Sequence, residues 1–80
     1  MGDAILAEIR LFAFGFAPVG WLVCEGQQLG VNANAALYSL IGNVYGRNTT
    51  NFNIPNLKGA EPIVGMKYYI AVQGEYPSRQ

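Results

Sequence analysis

The stretch from Ala17 to Leu29, "APVGWLVCEGQQL", contains the chain's only tryptophan, Trp21, and its only cysteine, Cys24. Glu25-Gly26 is similar to the Asp-Gly turn, which predicts a strand from Trp21 to Cys24 that returns antiparallel through Gln27 to Leu29. A lone cysteine beside an acid also suggests a nucleophile, which requires a base and a lowered pKa. The sequence has no histidine, and apolar neighbours raise the pKa of a thiol. We therefore expect Trp21 and Cys24 to fill the core.

The composition describes a small, sparsely charged chain. Its 80 residues fit one domain, expected to span residues 1–80, and a chain of this length buries roughly 60% of its unfolded surface. Hydrophobic residues make up 51% of the chain and charged residues only 12%. Soluble domains have roughly 25% charged residues, so this chain has few polar groups with which to cover its surface. We expect a partner surface to cover part of it, in an oligomer or as a component of a larger assembly, since exposed apolar patches mark interfaces.

Several function classes lack the residues that they need. Nucleic-acid binding requires clustered basic side chains, but five bases balance five acids and are scattered: Arg10, Arg47, Lys58, Lys67 and Arg79. One cysteine without any histidine leaves almost no zinc ligands, so no cofactor is expected. No two carboxylates are placed as a glycoside hydrolase pair, and we expect no enzyme.

No segment predicts a membrane or secretory role. The apolar run from Leu11 to Cys24 is interrupted by glycine and proline. It is also shorter than the roughly 20 residues that span a bilayer, which argues against membrane insertion. The N-terminal "MGDAILAEIR" lacks the basic region of a signal peptide. A soluble protein made in the cytoplasm is the expectation.

Hydrophobic periodicity predicts one helix among short strands. Asn32 or Asn34 is placed to cap a helix that runs to about Val44, with Gly46 as its left-handed C-cap. Four apolar residues at three- and four-residue spacing form its buried stripe: Leu37, Leu40, Ile41 and Val44. The expected fold class is α+β, in which this helix packs on short antiparallel strands.

Period-two alternation predicts the other strands. One runs from Ile5 to Phe14, a short extended piece holds Phe52 and Ile54 before Pro55, and another runs from Tyr68 to Gln73. In this last strand Ile70 and Val72 are expected in the core. Tyr68 and Tyr69 face opposite sides, so we expect one in the core and the other against a neighbouring chain.

Ordered motifs along nearly the whole chain resemble one family. "AEIRLFAFGFAPVGW", Ala7 to Trp21, is similar to the opening "GEIRLFAFNFAPxGW", and Trp21 to Gln27 continues with the pattern Trp, two residues, Cys, acid, Gly, Gln. The helix "ANAALYSLIGNVYG" covers Ala33 to Gly46, a "TxFxxPxLxG" element covers Thr50 to Gly59, and "YYIAVQGEYPSR" covers Tyr68 to Arg79. These motifs resemble the phage tail collar domain family, including the microcystin-dependent protein group.

The resemblance implies a tail-collar-like fold and a non-catalytic homotrimer in a tail fibre, with other tail or fibre proteins as partners. Display on a phage tail or a similar extracellular particle follows. Family members often carry a long, frequently histidine-containing insertion after "PxLxG", associated with receptor contact and, in some, with metal. Here Gly59 runs almost directly into Pro62, so the chain resembles a minimal form. A purely structural fibre cap or tip without receptor contact is the alternative.

The candidate contact surface is "YGRNTTNFN", Tyr45 to Asn53, the longest polar stretch outside the expected core. It combines an aromatic ring, a fixed positive charge and amide and hydroxyl donors, the groups that stack on and hydrogen-bond to a sugar. A cell-surface glycan is therefore the expected ligand, bound by Tyr45, Arg47, Asn48 and Thr50. In a trimer, three weak copies gain by avidity. An ordinary solvated loop is the alternative interpretation.

Overall fold

The computed structural model describes residues 4–13 and 15–77. Within them the strands form an antiparallel three-stranded sheet in the order β1-β5-β2 and a two-stranded antiparallel sheet of β3 and β4. One short helix follows β3, which confirms the α+β fold class. The elements in chain order are β1 (Ile9–Phe12), β2 (Trp21–Val23), β3 (Gln28–Gly30), α1 (Ala35–Ile41), β4 (Asn51–Asn53) and β5 (Lys67–Ala71).

The central strand β5 is buried on both faces. Ile70 belongs to one hydrophobic cluster, whereas Tyr69 and Ala71 belong to a second one. Alternate side chains of a strand point to opposite faces, so each face of the sheet has its own core. Tyr68, half-buried, packs against the first cluster of its own chain, as does the half-buried Val72.

The predicted hairpin between β2 and β3 is wrong. β2 pairs with β5, with Trp21 opposite Ala71, and β3 pairs with β4. Glu25 forms an isolated bridge with Asn56, so the chain at this point crosses from one sheet to the other. Pairing with β5 places the Trp21 indole, 4% exposed, in the second cluster beside Tyr69. Burial of this large aromatic side chain outweighs the local turn preference.

Cys24 lies just after β2 in the first cluster and is 1% exposed. Its backbone N–H donates to the Tyr68 carbonyl, and its own carbonyl accepts from the Leu57 N–H, both at 2.9 Å. The residue is therefore held between the two sheets, where its side chain fills the core beside Ile54 and Phe52.

Helix α1 is shorter than its apolar pattern predicts. It ends at Ile41, because Gly42 takes a positive φ of 59° and donates its N–H to the Tyr38 carbonyl at 2.7 Å. Leu37 is 1% exposed, and Leu40 and Ile41 pack against the first cluster. Val44 lies beyond the helix and is 76% exposed, so its assignment to the core is wrong.

The cap of α1 also differs from the usual arrangement. Asn34 is the N-cap residue, but its side chain makes no cap hydrogen bond. Its amide instead donates to the Gly30 carbonyl at 3.2 Å, which ties the start of the helix to the end of β3.

Strand β1 begins later than expected. Ala7 has a φ of +71°, and its N–H donates to the Ala71 carbonyl while the Glu8 carbonyl accepts from the Ala71 N–H. Two residues therefore oppose one, as in a β-bulge, and Leu6 turns into the core with 6% exposure. The expected end of this strand, Phe14, lies outside the described residues.

Candidate functional site

The polar segment after α1 folds into a narrow ribbon, here called the Arg47 hairpin (residues 46–53). The Asn53 N–H donates to the Gly46 carbonyl and the Asn48 N–H to the Asn51 carbonyl, each at 2.9 Å. Arg47 and Phe52 form an isolated antiparallel bridge between these bonds. Since β4 forms the second arm of the hairpin and also pairs with β3, the ribbon is an extension of the smaller sheet.

An Asx turn at Asn48 shapes the tip of the Arg47 hairpin. The Asn48 side-chain oxygen Oδ1 accepts the backbone N–H groups of Thr50 at 3.0 Å and Asn51 at 2.8 Å. The Thr50 carbonyl accepts the Val31 N–H at 2.9 Å, which fastens the tip to the residue after β3. These bonds use the acceptor of the Asn48 amide and leave its Nδ2 donors without a hydrogen-bond partner among the described residues.

Three contacts fix the Arg47 side chain. Its Nη1 donates to the Tyr38 hydroxyl at 2.7 Å, and its Nε donates to the Asn48 carbonyl at 3.2 Å. The guanidinium carbon lies 5.1 Å from the Tyr38 ring centroid, a cation–π distance. The Tyr38 ring in turn lies 5.2 Å from the ring of Phe52, which is fully buried. The surface cation therefore rests on a ring, that of Tyr38, whose tilted contact with Phe52 anchors it in the core.

Within residues 4–13 and 15–77, the positive charge of Arg47 has no acidic partner. Among residues 4–13 and 15–77, the ion pair that forms is the one between Arg10 and Glu8 on β1 and the turn before it. The backbone N–H of Ile5 and, after it, this ion pair hold the pKa of the half-buried Glu8 carboxyl below its usual value. No comparable carboxylate neutralises Arg47 in the described part of the chain.

The structure brings together only part of the predicted contact set. Arg47, Asn48 and Thr50 are linked by hydrogen bonds at the hairpin. Tyr45 is 49% exposed, and within the described residues no hydrogen bond or ring contact joins it to the other three. Tyr38, which lies in the predicted helix but outside its four-residue apolar stripe, is the residue on which Arg47 lies. No local sequence pattern predicts a contact between two residues nine positions apart when a helix ends between them.

A second candidate surface lies at one end of the larger sheet. The segment 60–66 before β5 exposes Ile63 by 59% and Val64 fully. Because Phe12 at the end of β1 is opposite Lys67 at the start of β5, the segment that follows β1 leaves the same end of the sheet. That segment carries Phe16, which is 70% exposed. We call Ile63 and Val64 the sheet-end apolar surface, whereas Phe16 lies on the connection that runs from this end to the start of β2 at the other end.

Cys24 lacks the properties of a nucleophile. Burial raises the pKa of its thiol to about 11, so almost no thiolate exists at neutral pH. Within the described ranges, no three His, Cys, Asp or Glu side chains are grouped to hold a metal ion. The same residues include no helix with the length and apolar character that crossing a membrane requires.

The Phage Tail Collar Domain family model matches residues 7–62. The chain belongs to the phage tail collar domain family. The match begins at the Ala7 turn and covers β1 to β4 with α1, while β5 follows it. No curated protein and no solved structure matches this collar domain.

Family membership confirms the resemblance seen in the sequence. It makes this collar domain a structural component of phage tail fibres, associated with the virion and with other tail or fibre proteins. The matched range contains the whole Arg47 hairpin and Phe16, and it ends one residue before Ile63. The two candidate surfaces therefore lie within the matched range and at its boundary.

Proposed function

We propose that this collar domain is a non-catalytic, homotrimeric module of a tail fibre that supports attachment to a cell-surface receptor or glycan. The observation that carries the proposal is the sheet-end apolar surface together with Phe16. Phe16, Ile63 and Val64 are exposed by more than half although the chain has few charged groups elsewhere to offset them. Large exposed apolar side chains on a small domain favour burial against other copies.

The chemistry of the chain supports the non-catalytic part of the proposal. Cys24 is the one side chain that suggested a nucleophile, and its thiol is buried and protonated at neutral pH. Of the acids, Glu8 is engaged with Arg10, and Glu25 lies in the crossing between the sheets.

The Arg47 hairpin supports the attachment part. It presents Arg47, Asn48 and Thr50 on a ribbon whose backbone is held by hydrogen bonds at both arms. A binding loop on a rigid scaffold loses little conformational entropy when it meets a ligand. In a trimer, three such hairpins would act together, so that modest single-site affinity is multiplied by avidity.

Light scattering on a size-exclusion peak tests the assembly. We expect the mass of three 8.7 kDa chains at micromolar concentration. A stable single chain under these conditions would refute the trimer. Attachment is tested separately by mixing the labelled protein with host cells and measuring the bound fraction against an excess of unlabelled protein.

A purely structural fibre cap or tip is the second candidate. The short connection of residues 60–66 favours it, because the strand β5 begins directly afterwards and leaves little chain for a receptor-binding extension. This candidate predicts the same trimer mass but no saturable binding to host cells. The cell assay therefore separates the two functions without depending on the oligomeric state.

A further inference from the structure

We infer that the Arg47 hairpin binds an oxyanion carried by a saccharide, a sugar carboxylate or a sugar phosphate. The inference rests on the proposed attachment function and names the class of its ligand. Arg47 is the centre of the site, the Asn48 amide is its second donor, and Tyr38 is the residue that positions the guanidinium.

The side chains of Arg47 and Asn48 at the tip of the hairpin have more free hydrogen-bond donors than acceptors among the described residues. A guanidinium only donates hydrogen bonds, and Arg47 uses Nε and Nη1 within the chain while Nη2 has no partner among residues 4–13 and 15–77. The Asn48 oxygen is taken up by two backbone N–H groups, which leaves the Nδ2 donors. The two side chains at the tip therefore offer donors with no matching side-chain acceptor, and an anionic oxygen complements them.

The positive charge of the Arg47 guanidinium also favours an anionic ligand. The described residues place no carboxylate in an ion pair with Arg47, so its positive charge is not neutralised within the chain. A neutral sugar would use the donors but not the charge. An oxyanion uses both, and hydrogen bonds between ionised groups are roughly twice as strong as those between neutral ones.

The Arg47 side chain is already held in place before a ligand binds. A free arginine side chain loses much of its rotamer freedom on binding. Here the Tyr38 hydroxyl and ring already hold the guanidinium, and the contact of Tyr38 with the buried Phe52 holds the ring. Much of the ordering cost therefore falls on folding and not on binding.

Binding to three probes that share a neutral polyacrylamide backbone and differ in their side groups tests the ligand class. Polyacrylamide carries glucuronate, glucose 6-phosphate or glucose side groups, and affinity is measured by biolayer interferometry at low salt. We expect binding to the glucuronate or the phosphate polymer, whichever oxyanion the site prefers, and at least tenfold weaker binding to the glucose polymer. Binding should weaken as salt is added, because the site is exposed.

Two variants test the residues. Asn48→Asp keeps an oxygen for the Asx turn but replaces the amide donors with a negative charge, so we expect loss of binding with the fold intact. Asn56→Asp is its matched control, because Asn56 Oδ1 likewise accepts a backbone N–H two residues later, from Lys58. Arg47→Gln should weaken binding roughly tenfold to a hundredfold, the size of one or two charge-assisted hydrogen bonds. Lys58→Gln makes the same change in net charge elsewhere on the surface.

The outcomes are distinguishable from those of the proposed function. Equal binding to the glucose polymer, or unchanged binding by Asn48→Asp and Arg47→Gln, would overturn the inference even if the trimer attaches to cells. Wild-type protein that binds neither anionic polymer would overturn it as well. Polyacrylamide with plain carboxylate groups is a further probe. If it binds as tightly as the glucuronate polymer, the site recognises negative charge alone, and the inference that a saccharide carries the oxyanion is wrong. Circular dichroism and melting temperature confirm that each variant is folded.

Discussion

Replacement of Gly74 by alanine tests how the segment before β1 is attached to the rest of the chain. Ile5 forms a parallel bridge with Glu75, and the Glu75 N–H donates to the Ala4 carbonyl at 2.9 Å. The Leu6 N–H donates to the Glu75 carbonyl at 2.8 Å. A Cβ on Gly74 would lie 2.5 Å from the Ala4 oxygen and 3.2 Å from the Leu6 nitrogen. Those atoms belong to the backbone that makes the bridge, so the two segments must separate.

The expected loss of stability follows from this geometry. Two bridge hydrogen bonds contribute about 1 kcal/mol each, and the φ of +153° at Gly74 costs an alanine about 1–2 kcal/mol. Together, Gly74→Ala should lower the free energy of unfolding by about 3–4 kcal/mol. For a domain of this size the melting temperature should fall by roughly 12 °C or more. Movement of Leu6, which is 6% exposed in the core, would add to the loss.

Gly59→Ala is the matched control. Gly59 also has a positive φ, +90°, but a Cβ there meets no atom within 4 Å. It should therefore lose only the backbone cost of about 1–2 kcal/mol. Both variants are compared by thermal and urea unfolding at one protein concentration, because association shifts the melting temperature. Equal losses in the two variants would refute the reasoning that the contact with Ala4 determines the effect.

Four further predictions concern single features of the chain. The pH dependence of unfolding should show the raised Cys24 pKa: the unfolded thiol ionises near pH 9 while the folded one ionises near 11, so stability falls as pH rises through this window. Cys24→Ala should remove this fall in stability between pH 9 and 11. A fall of the same size in the variant would contradict the prediction. Cys24→Asp should prevent folding, since it buries an unpaired charge; a normal circular dichroism spectrum would argue otherwise. Ile63→Asp with Val64→Asp should reduce the scattering mass to that of one chain without loss of helix signal, because both side chains are exposed within the chain; an unchanged mass would move the interface elsewhere. Ala7→Gly should leave stability within about 1 kcal/mol of wild type or raise it, because relief of the φ of +71° offsets the lost methyl burial; a larger loss in urea unfolding would show that the methyl matters more than the backbone.

The predictable parts of the fold are those in which a segment's own residues carry the information. The segment "YYIAV" alternates large apolar and aromatic side chains, and β5 forms there as the central strand. Its end was predicted two residues late, because the N–H groups of Val72 and Gln73 both turn to the Gly20 carbonyl. The helix was predicted from the stripe of Leu37, Leu40, Ile41 and Val44, but its predicted end near Val44, with Gly46 as the C-cap, was wrong. Gly42 permits a left-handed conformation without requiring it, so the sequence does not specify the residue at which the helix stops.

The candidate site shows the same division. Its polar composition is visible in Arg47, Asn48 and Thr50, and their role in binding stays a prediction. The contacts of Arg47 with Tyr38 and of Tyr38 with Phe52 are not visible in the sequence, because these three residues meet only after α1 and β4 have packed together. Tyr45 was included in the contact set only because it lies in the same polar stretch.

By itself the sequence determined the family, through ordered motifs, and the α+β class, through one segment of helical period among segments of period two. Only the tertiary structure decided which elements and side chains are in contact. β2 pairs with β5 and does not form a hairpin with β3, and Arg47 lies on Tyr38 and not in an open loop. The physical reason is that periodicity belongs to a single element, whereas its partner is set by competition among distant surfaces for burial. Trp21 illustrates this, since the Glu25-Gly26 turn signal is local and weak while the indole gains its burial only against Tyr69 and Phe12.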